Sequence, residues 1–326
     1  MIEQIFPNFY RIAVPLPGNP LKELNSYLIR GQGQNLLIDT GFRQEECRMA
    51  LQEALDTLGI RVEQTDVLLT HLHADHSGLS DVFSGESRTI YISELDRAHL
   101  QMPEDRIRVR ELQDQRYRLE GFPEAELEEL VWKNPARNRS LPTGISRFTG
   151  LQEGDVLEIG GYRLQAVLTP GHTPGHMCFW MEEQKTMLLG DHVLFDITPN
   201  ITFWSTMPDA LGTYLESLQK IDAYDVQVSL PAHRKTGDFH DRIAYLIGHH
   251  QRRLDQVVQI VREQPGMTAY EIAARMRWKI RCNSWEDFPV AQKWFAVGEA
   301  ISHIDRLMKL GQLRAEQDNG KTVYFV

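Results

Sequence analysis

The sequence predicts an α/β fold followed by a smaller helical region, on three observations. Short apolar runs of strand length fill residues 1–95 and 151–233, interrupted by a helical segment and tight turns. Several of these runs end directly on histidine or aspartate, in turns containing Gly and Pro. After residue 241 the texture changes to long helical patterns closed by one hairpin.

The elements follow in order. Asn25–Ile29 and Asn35–Ile38 read as strands around the turn Gly31-Gln32-Gly33. Glu45 to Leu58 carries Cys47, Ala50, Leu51, Ala54, Leu55 and Leu58 at helical spacing, with Gly59 as the expected stop. Val67-Leu68-Leu69 is a buried strand that leads into His71. Residues 96–148 differ: they are rich in Arg and Glu and hold Pro103, Pro123, Pro135 and Pro142. Helices broken by prolines are expected there, as an insertion that is either a solvated pair or a lid over the substrate. Strands return at Val156–Ile159, Tyr162–Leu168, Cys178–Met181, Thr186–Leu189 and Val226–Leu230. In the tail, Thr268-Ala269-Tyr270-Glu271 is a capping box, a helix runs from Pro289 to Leu310, and Asn319-Gly320 marks a hairpin turn.

Composition narrows the class. With 326 residues, 42% hydrophobic and 25% charged, the chain can build a sizeable core and two domains. Cys47, Cys178 and Cys282 are isolated and odd in number, which argues against a disulfide framework and for a reducing compartment. The N-terminus lacks signal-peptide features and no apolar run approaches membrane-spanning length. A cytoplasmic protein with no membrane partner is expected. The net charge of −10 divides unevenly: residues 1–240 hold 22 Lys and Arg against 35 Asp and Glu, and residues 241–326 hold 13 against 10. The larger part would repel a nucleic acid backbone, while the smaller would tolerate one.

The decisive stretch is Thr70-His71-Leu72-His73-Ala74-Asp75-His76-Ser77-Gly78. Alternate side chains of extended backbone share a face, so His71 and His73 can point together. Asp75 and His76 follow at once, so the chain must turn and aim them at a second point. Three histidines and an aspartate buried without partners would be costly, and two close cations would remove that cost. Further donors appear at other strand ends: His172 in TPGHTPGH, Asp191 in LLGDH and His233 in LPAH. Proline and glycine beside them make rigid turns. No GxSxG elbow, P-loop or helix-opening GxGxxG is present, which removes the usual support for acyl-serine, ATP-dependent and dinucleotide chemistry.

HLHADH, TPGHTPGH, LLGDH and LPAH, in this order and preceded by Asp39-Thr40-Gly41, resemble the motifs of the metallo-β-lactamase superfamily. The resemblance covers roughly residues 1–240. It implies an αββα sandwich with an inserted helical segment and a catalytic domain of about 1–240. By the same resemblance His71, His73 and His172 match the ligands of one metal, Asp75, His76 and His233 those of a second, and Asp191 the bridging carboxylate. Asp39 matches an acid that fixes an imidazole. His176 reads as a hydrogen-bonding histidine of a tight turn, and His192 and His240 as supporting or surface residues. Imidazole and carboxylate donors suit zinc, iron or manganese. Two zinc ions are the first expectation, since zinc binds imidazole well and needs no redox control.

Such a pair would generate hydroxide at neutral pH and polarise an ester-like carbonyl, with Asp75 both ligating and accepting a hydrogen bond from the water. Phe195, Asn200, Phe203 and Trp204, in the stretch after Asp191, are candidates to line a substrate pocket or to pack as core. Residues 241–326 look like a winged helix, for which packing, homodimer formation or nucleic-acid binding are the open roles. Lys293, Arg306, Lys309, Arg314 and Lys321 alternate with acids there and form no dense basic face. The sequence thus predicts a hydrolase of a small thioester, ester or lactone. A nuclease or phosphodiesterase, a mononuclear iron dioxygenase of sulfur compounds and a non-catalytic regulator remain as alternatives.

Overall fold

The computed structural model describes residues 1–83, 88–101, 103–133, 148–279 and 282–326. Its contacts group into two compact units, one of residues 1–103, 139–199 and 220–242, the other of 104–138, 200–219 and 243–326.

The first unit is built on two sheets. The seven-stranded sheet takes its strands in sequence order: β1 (Ile2–Phe6), β2 (Phe9–Pro15), β3 (Glu23–Ile29), β4 (Asn35–Ile38), β5 (Thr65–Leu68), β6 (Ile90–Ser93) and β7 (Phe148–Leu151). It runs antiparallel from β1 to β4 and parallel from β4 to β7. The five-stranded sheet has the order β12-β11-β10-β9-β8, with β8 (Val156–Ile159), β9 (Tyr162–Leu168), β10 (Met177–Met181), β11 (Thr186–Gly190) and β12 (Val228–Pro231). Only its β11–β12 pair is parallel.

The alternation of β9 explains the layering. Tyr162, Leu164 and Ala166 are buried while Arg163 and Gln165 face water. The buried row meets Phe9, Tyr27, Ile29, Ile38 and Leu68 of the first sheet and Met177, Phe179 and Leu188 of its own in one apolar core. Both strands at the centre, β10 and β11, are buried at every residue, as two-sided cover requires. Helix α1 (Glu45–Thr57) buries Cys47, Leu51, Ala54 and Leu55 and packs on β2. Gly59 follows with a φ of 63°, the left-handed stop expected there. Next come the single turn α2 (Ala74–Ser77) and α3 (Glu94–Gln101), which packs on β6 and β7.

The second unit contains α4 (Pro103–Leu119), α5 (Glu124–Lys133), most of α6 (Ala210–Asp222) and α7 (Phe239–Glu263), then α8 (Ala269–Arg275), α9 (Val290–Lys309) and the hairpin β13 (Arg314–Asp318) and β14 (Lys321–Phe325). Thr268 caps α8 in the expected box with Glu271. Asn319 and Gly320 turn the hairpin at φ 47° and 76°.

Residues 96–148 depart from the expectation of a solvated pair. Residues 96–101 belong to α3 and the sandwich. Where α4 and α5 are described, they are neither a solvated pair nor an appendage but core of the second unit. Tyr117 is fully buried, stacks on Trp294 at 5.3 Å and donates to the Trp294 carbonyl at 3.0 Å. Glu120 accepts from Tyr324 Oη at 2.7 Å and from Arg116 Nε at 2.7 Å, and Arg116 also reaches Asp305 at 2.8 Å. Pro135 and Pro142 lie outside the described residues.

Candidate metal centre

Strand ends deliver the site, and hydrogen bonds behind His71, His76 and His233 aim three of its donors. The turn after β4 places Asp39 at φ 58°, a left-handed conformation that a non-glycine residue adopts at a cost. Its carboxylate offsets this by accepting from Thr70 N–H at 2.9 Å, Thr70 Oγ1 at 2.8 Å and His76 Nδ1 at 2.8 Å. Because the Thr70 hydroxyl donates to Asp39, its oxygen accepts from His71 Nδ1 at 3.1 Å. Asp39 therefore orients His76 directly and His71 through Thr70, and both rings turn Nε2 toward the site, that of His71 standing 3.0 Å from His73 Nδ1.

After β5, the chain is not extended as expected but bends through Thr70–Leu72 and then closes the single turn α2, which leaves the His76 ring 4.0 Å from that of His71. His233 follows β12, and its Nδ1 donates to the Glu23 carbonyl at 2.9 Å, so its Nε2 is also open. Asn25 secures that loop by donating to the carbonyls of Pro231 at 3.0 Å and Arg234 at 2.9 Å. Gly190 ends β11 at φ 50°, and a Cβ there would stand 2.5 Å from His176 Nε2 and 2.9 Å from Thr70 Cβ. Only glycine lets β11 approach so closely.

The donors converge as three sets whose ligand atoms all lie within 4.8 Å of one another: His71, His73 and His172; His71, His76 and Asp191; Asp75, His76 and His233. Asp191 spans them. Its Oδ2 is 3.6 Å from His172 Nε2, while its Oδ1 is 3.6 Å from His76 Nε2 and 3.4 Å from His233 Nε2. Asp75 Oδ2 lies 3.6 Å from His233 Nε2 and 4.0 Å from His76 Nε2. The Nε2 atoms of His76 and His233 and Asp191 Oδ1 are buried and make no hydrogen bond. Two atoms each about 2.1 Å from a tetrahedral cation stand roughly 3.4 Å apart, so these spacings and orphaned atoms fit a shared ion.

The electrostatics divide the donors: burial would lower His76 and His233, but the Asp39, Asp191 and Asp75 carboxylates raise His76, and Asp191 and Asp75 raise His233. Burial and neighbouring imidazoles push His71 well below the usual histidine range, and burial takes His73 down to about 3. Both are neutral at pH 7, as ligands must be. Burial would raise Asp191, but the facing His233 and His76 rings outweigh it and hold the carboxyl well below the usual carboxylate range.

His176 sits behind Asp191. It accepts from the Asp191 N–H at 3.1 Å through Nε2, which makes Nδ1 the donor to Thr169 Oγ1 at 2.8 Å. His192 is buried beside it, with ring centroids 5.7 Å apart. His240 pairs with Asp222 at 2.7 Å on an exposed face. The four residues proposed to line a pocket divide. Phe195 is half-buried in the first unit against Gly237, where an added Cβ would meet its ring at 2.6 Å. Phe203 is core of the second unit, 5.3 Å from the Tyr117 ring. Asn200 and Trp204 are half-buried in the same unit, Trp204 bridging to Met207.

Two supports escaped the sequence reading. Asn25 is a polar residue in an apolar strand, a signal that was available. Asp96 is fully buried and bound by Leu72, Thr173 and Gly175. Burial pushes its carboxyl up to about 7 against the pull of those three donors. In sequence it is an ordinary first-turn acid of a helix.

The model of the family described as "Metallo-beta-lactamase superfamily" matches residues 22–233. The chain belongs to the metallo-β-lactamase superfamily. Among solved members, a metallo-beta-lactamase family protein of Thermus thermophilus shares 28% identity at a TM-score of 0.83, over 98% of this chain and 99% of that one. A beta-lactamase domain protein of Burkholderia ambifaria shares 26% at 0.84, over 99% and 94%. Among curated relatives, the lactamase-like protein nscB of Neosartorya fischeri is 25% identical over 88% of this chain and 84% of its own length. The atrochrysone carboxyl ACP thioesterase nsrC of Aspergillus novofumigatus is 26% identical over 80% of this chain and 65% of its own length. The superfamily assignment makes the chain a hydrolytic enzyme of mixed α/β fold, with histidine and aspartate groups able to hold divalent metal.

Proposed function

We propose that this protein is a dinuclear metal hydrolase of small thioesters. The single observation that supports it most is the Asp191 carboxylate, whose two oxygens face two different histidine sets at 3.4–3.6 Å. His71, His73 and His172 would hold one ion, Asp75, His76 and His233 the other, and Asp191 both. Imidazole-rich donors without cysteine make zinc the first choice for each. When bound, such ions supply Lewis acidity toward the acyl oxygen and an acidified water at neutral pH.

The chain's own part is orientation and proton handling. Asp39, Thr70 and the Glu23 carbonyl fix the tautomers of His71, His76 and His233, so these three donors need not reorganise during turnover. Asp75, partly open to solvent, is the carboxylate assigned to take the proton from the attacking water. Thioesters are favoured over lactones and phosphodiesters because two curated relatives are named as acyl-carrier-protein thioesterases. The alternating charges of the winged-helix-like tail give no support to a nucleic acid substrate. Among the described residues no helix is long and apolar enough to cross a membrane.

The test combines elemental analysis with a panel of acyl-pantetheine thioesters, lactones and a phosphodiester. About two zinc ions per chain, thioester cleavage, and its loss in His71→Ala are expected. Equal rates in wild type and His71→Ala would overturn the reading, as would about one iron per chain.

A further inference from the structure

The structure assigns to Asp96 a role that rests on the metal-centre reading above. We infer that its carboxylate is a positioning residue, which holds the His71–His73 loop and the His172 turn in one register and so sets the affinity of the ion these three histidines share. Asp96 touches none of the donors. It touches the backbone between two of them and the side chain next to the third. Oδ2 accepts from Leu72 N–H at 2.9 Å, the amide between His71 and His73. The same oxygen accepts from Thr173 Oγ1 at 2.8 Å, the residue after His172. Oδ1 accepts from Gly175 N–H at 2.8 Å, the residue before His176. One side chain thus ties two loops that lie about a hundred positions apart in the chain.

The tie is rigid at both ends. Asp96 is the third residue of α3, and its own N–H donates to Ser93 Oγ at 3.1 Å, which caps that helix. At the other end, a Cβ on Gly175 would stand 2.1 Å from Ser93 Oγ and 2.6 Å from both Asp96 N and Oδ1. The TPGH turn is therefore seated against the start of α3 by contact as well as by hydrogen bonds. A wholly buried carboxylate is a poor way to stabilise a fold, because its desolvation offsets most of what its hydrogen bonds return. It is a good way to fix geometry, because a carboxylate accepts from several directions at once. Asp39 does the same work beneath His76 and His71, but across both halves of the donor set.

Asparagine at 96 keeps the shape but not the acceptors. Leu72 and Gly175 donate to different oxygens, so the amide nitrogen must face one of these N–H groups. The experiment titrates full-length, metal-stripped protein with Zn2+ against a competing chelator, and with Co2+ followed by its visible spectrum. In Asp96→Asn, one ion should bind 10–100-fold more weakly with the other unchanged, and the cobalt bands should shift. Thr173→Val removes a single donor and should weaken the same ion less; it stands in if Asp96→Asn does not fold. Unchanged affinity and cobalt spectrum in a folded variant would overturn the inference. Equal weakening of both ions would too, since that is general loosening. Wild-type protein that binds neither Zn2+ nor Co2+ would instead overturn the metal-centre reading, and this inference with it.

Discussion

The Asp39 carboxylate accepts a hydrogen bond from His76 Nδ1 at 2.8 Å, and both residues are buried. The same oxygen takes the Thr70 hydroxyl, which in turn receives His71 Nδ1. A single acid thereby sets the ring orientation of one histidine from each half of the site. Asp39→Asn should lower metal affinity at both ions by 10–100-fold, unlike the one-ion effect assigned to Asp96. Chelator competition distinguishes the two patterns directly.

Gly190 is required by contact rather than by chemistry. Alanine there would carry a left-handed φ, costing about 1–2 kcal/mol, and would press its Cβ on His176 and Thr70 for a further 1–3 kcal/mol or so. Gly190→Ala should therefore lower the urea midpoint by an equivalent of a few kcal/mol, even in metal-stripped protein. An unchanged midpoint would show that β11 can shift freely, against the close packing described.

The five motifs were legible because each donor lies in a contiguous turn after an apolar strand, where Pro and Gly advertise the geometry. What supports them was not. Asn25 and Asp96 act on groups far along the chain; a polar residue in an apolar strand hints at the first, and nothing in its neighbours betrays the second. The helix α4 misled for a related reason. Its run of arginines reads as a solvated face, yet Glu120 just past its end is buried and answers to Tyr324, 204 positions away. Local pattern reports periodicity and charge; it does not report a partner that only tertiary packing supplies.

That buried pair carries its own expectation. Tyr324 Oη bonds both oxygens of Glu120, at 2.7 and 2.8 Å. Tyr324→Phe leaves a buried carboxylate with one donor fewer and should destabilise the protein by about 1.5–3 kcal/mol. Glu120→Gln in the same background should recover part of the loss, since it removes the charge left under-solvated. Denaturant unfolding of the two single variants and the double variant measures this.

A pH dependence follows from His250 and His303. His303 Nδ1 donates to the Glu299 carbonyl at 2.7 Å, so its Nε2 accepts from His250 Nδ1 at 3.2 Å. His303 must be neutral for this arrangement, and a charge on His250 would face Arg253 as well as His303 in a buried site. Burial pushes His303 down to about 3 and His250 well below the usual range. A depressed folded-state histidine means that the unfolded chain binds more protons below its pKa of about 6.5, so stability falls as pH falls through that value. Each ring contributes at most about 1.4 kcal/mol per pH unit below it, until the folded-state value is reached. The wild type should lose stability steeply between pH 6.5 and 4, and His250→Phe with His303→Leu should flatten that slope. Comparing the slopes cancels the titration of the metal-centre histidines, which both proteins keep.

The last expectation concerns how many ions the centre needs. Among the described residues Asp191 is the carboxylate whose oxygens face both histidine sets, Oδ2 toward His172 and Oδ1 toward His76 and His233. In Asp191→Asn the amide nitrogen can donate to neither ion, so one set loses its oxygen outright and the remaining neutral oxygen binds the other more weakly. The loss of negative charge also removes the main attraction between two like-charged cations and their site. Zinc content should fall to one ion per chain or fewer, and thioester turnover by about a thousandfold or more, as expected when a group acting on the transition state is lost. If the variant keeps one ion and near-native turnover, the chemistry belongs to a single ion and the bridging role assigned to Asp191 is wrong. If it keeps both ions but loses turnover, Asp191 acts on the reaction rather than on metal retention. Zinc content and turnover measured on the same preparation separate these outcomes.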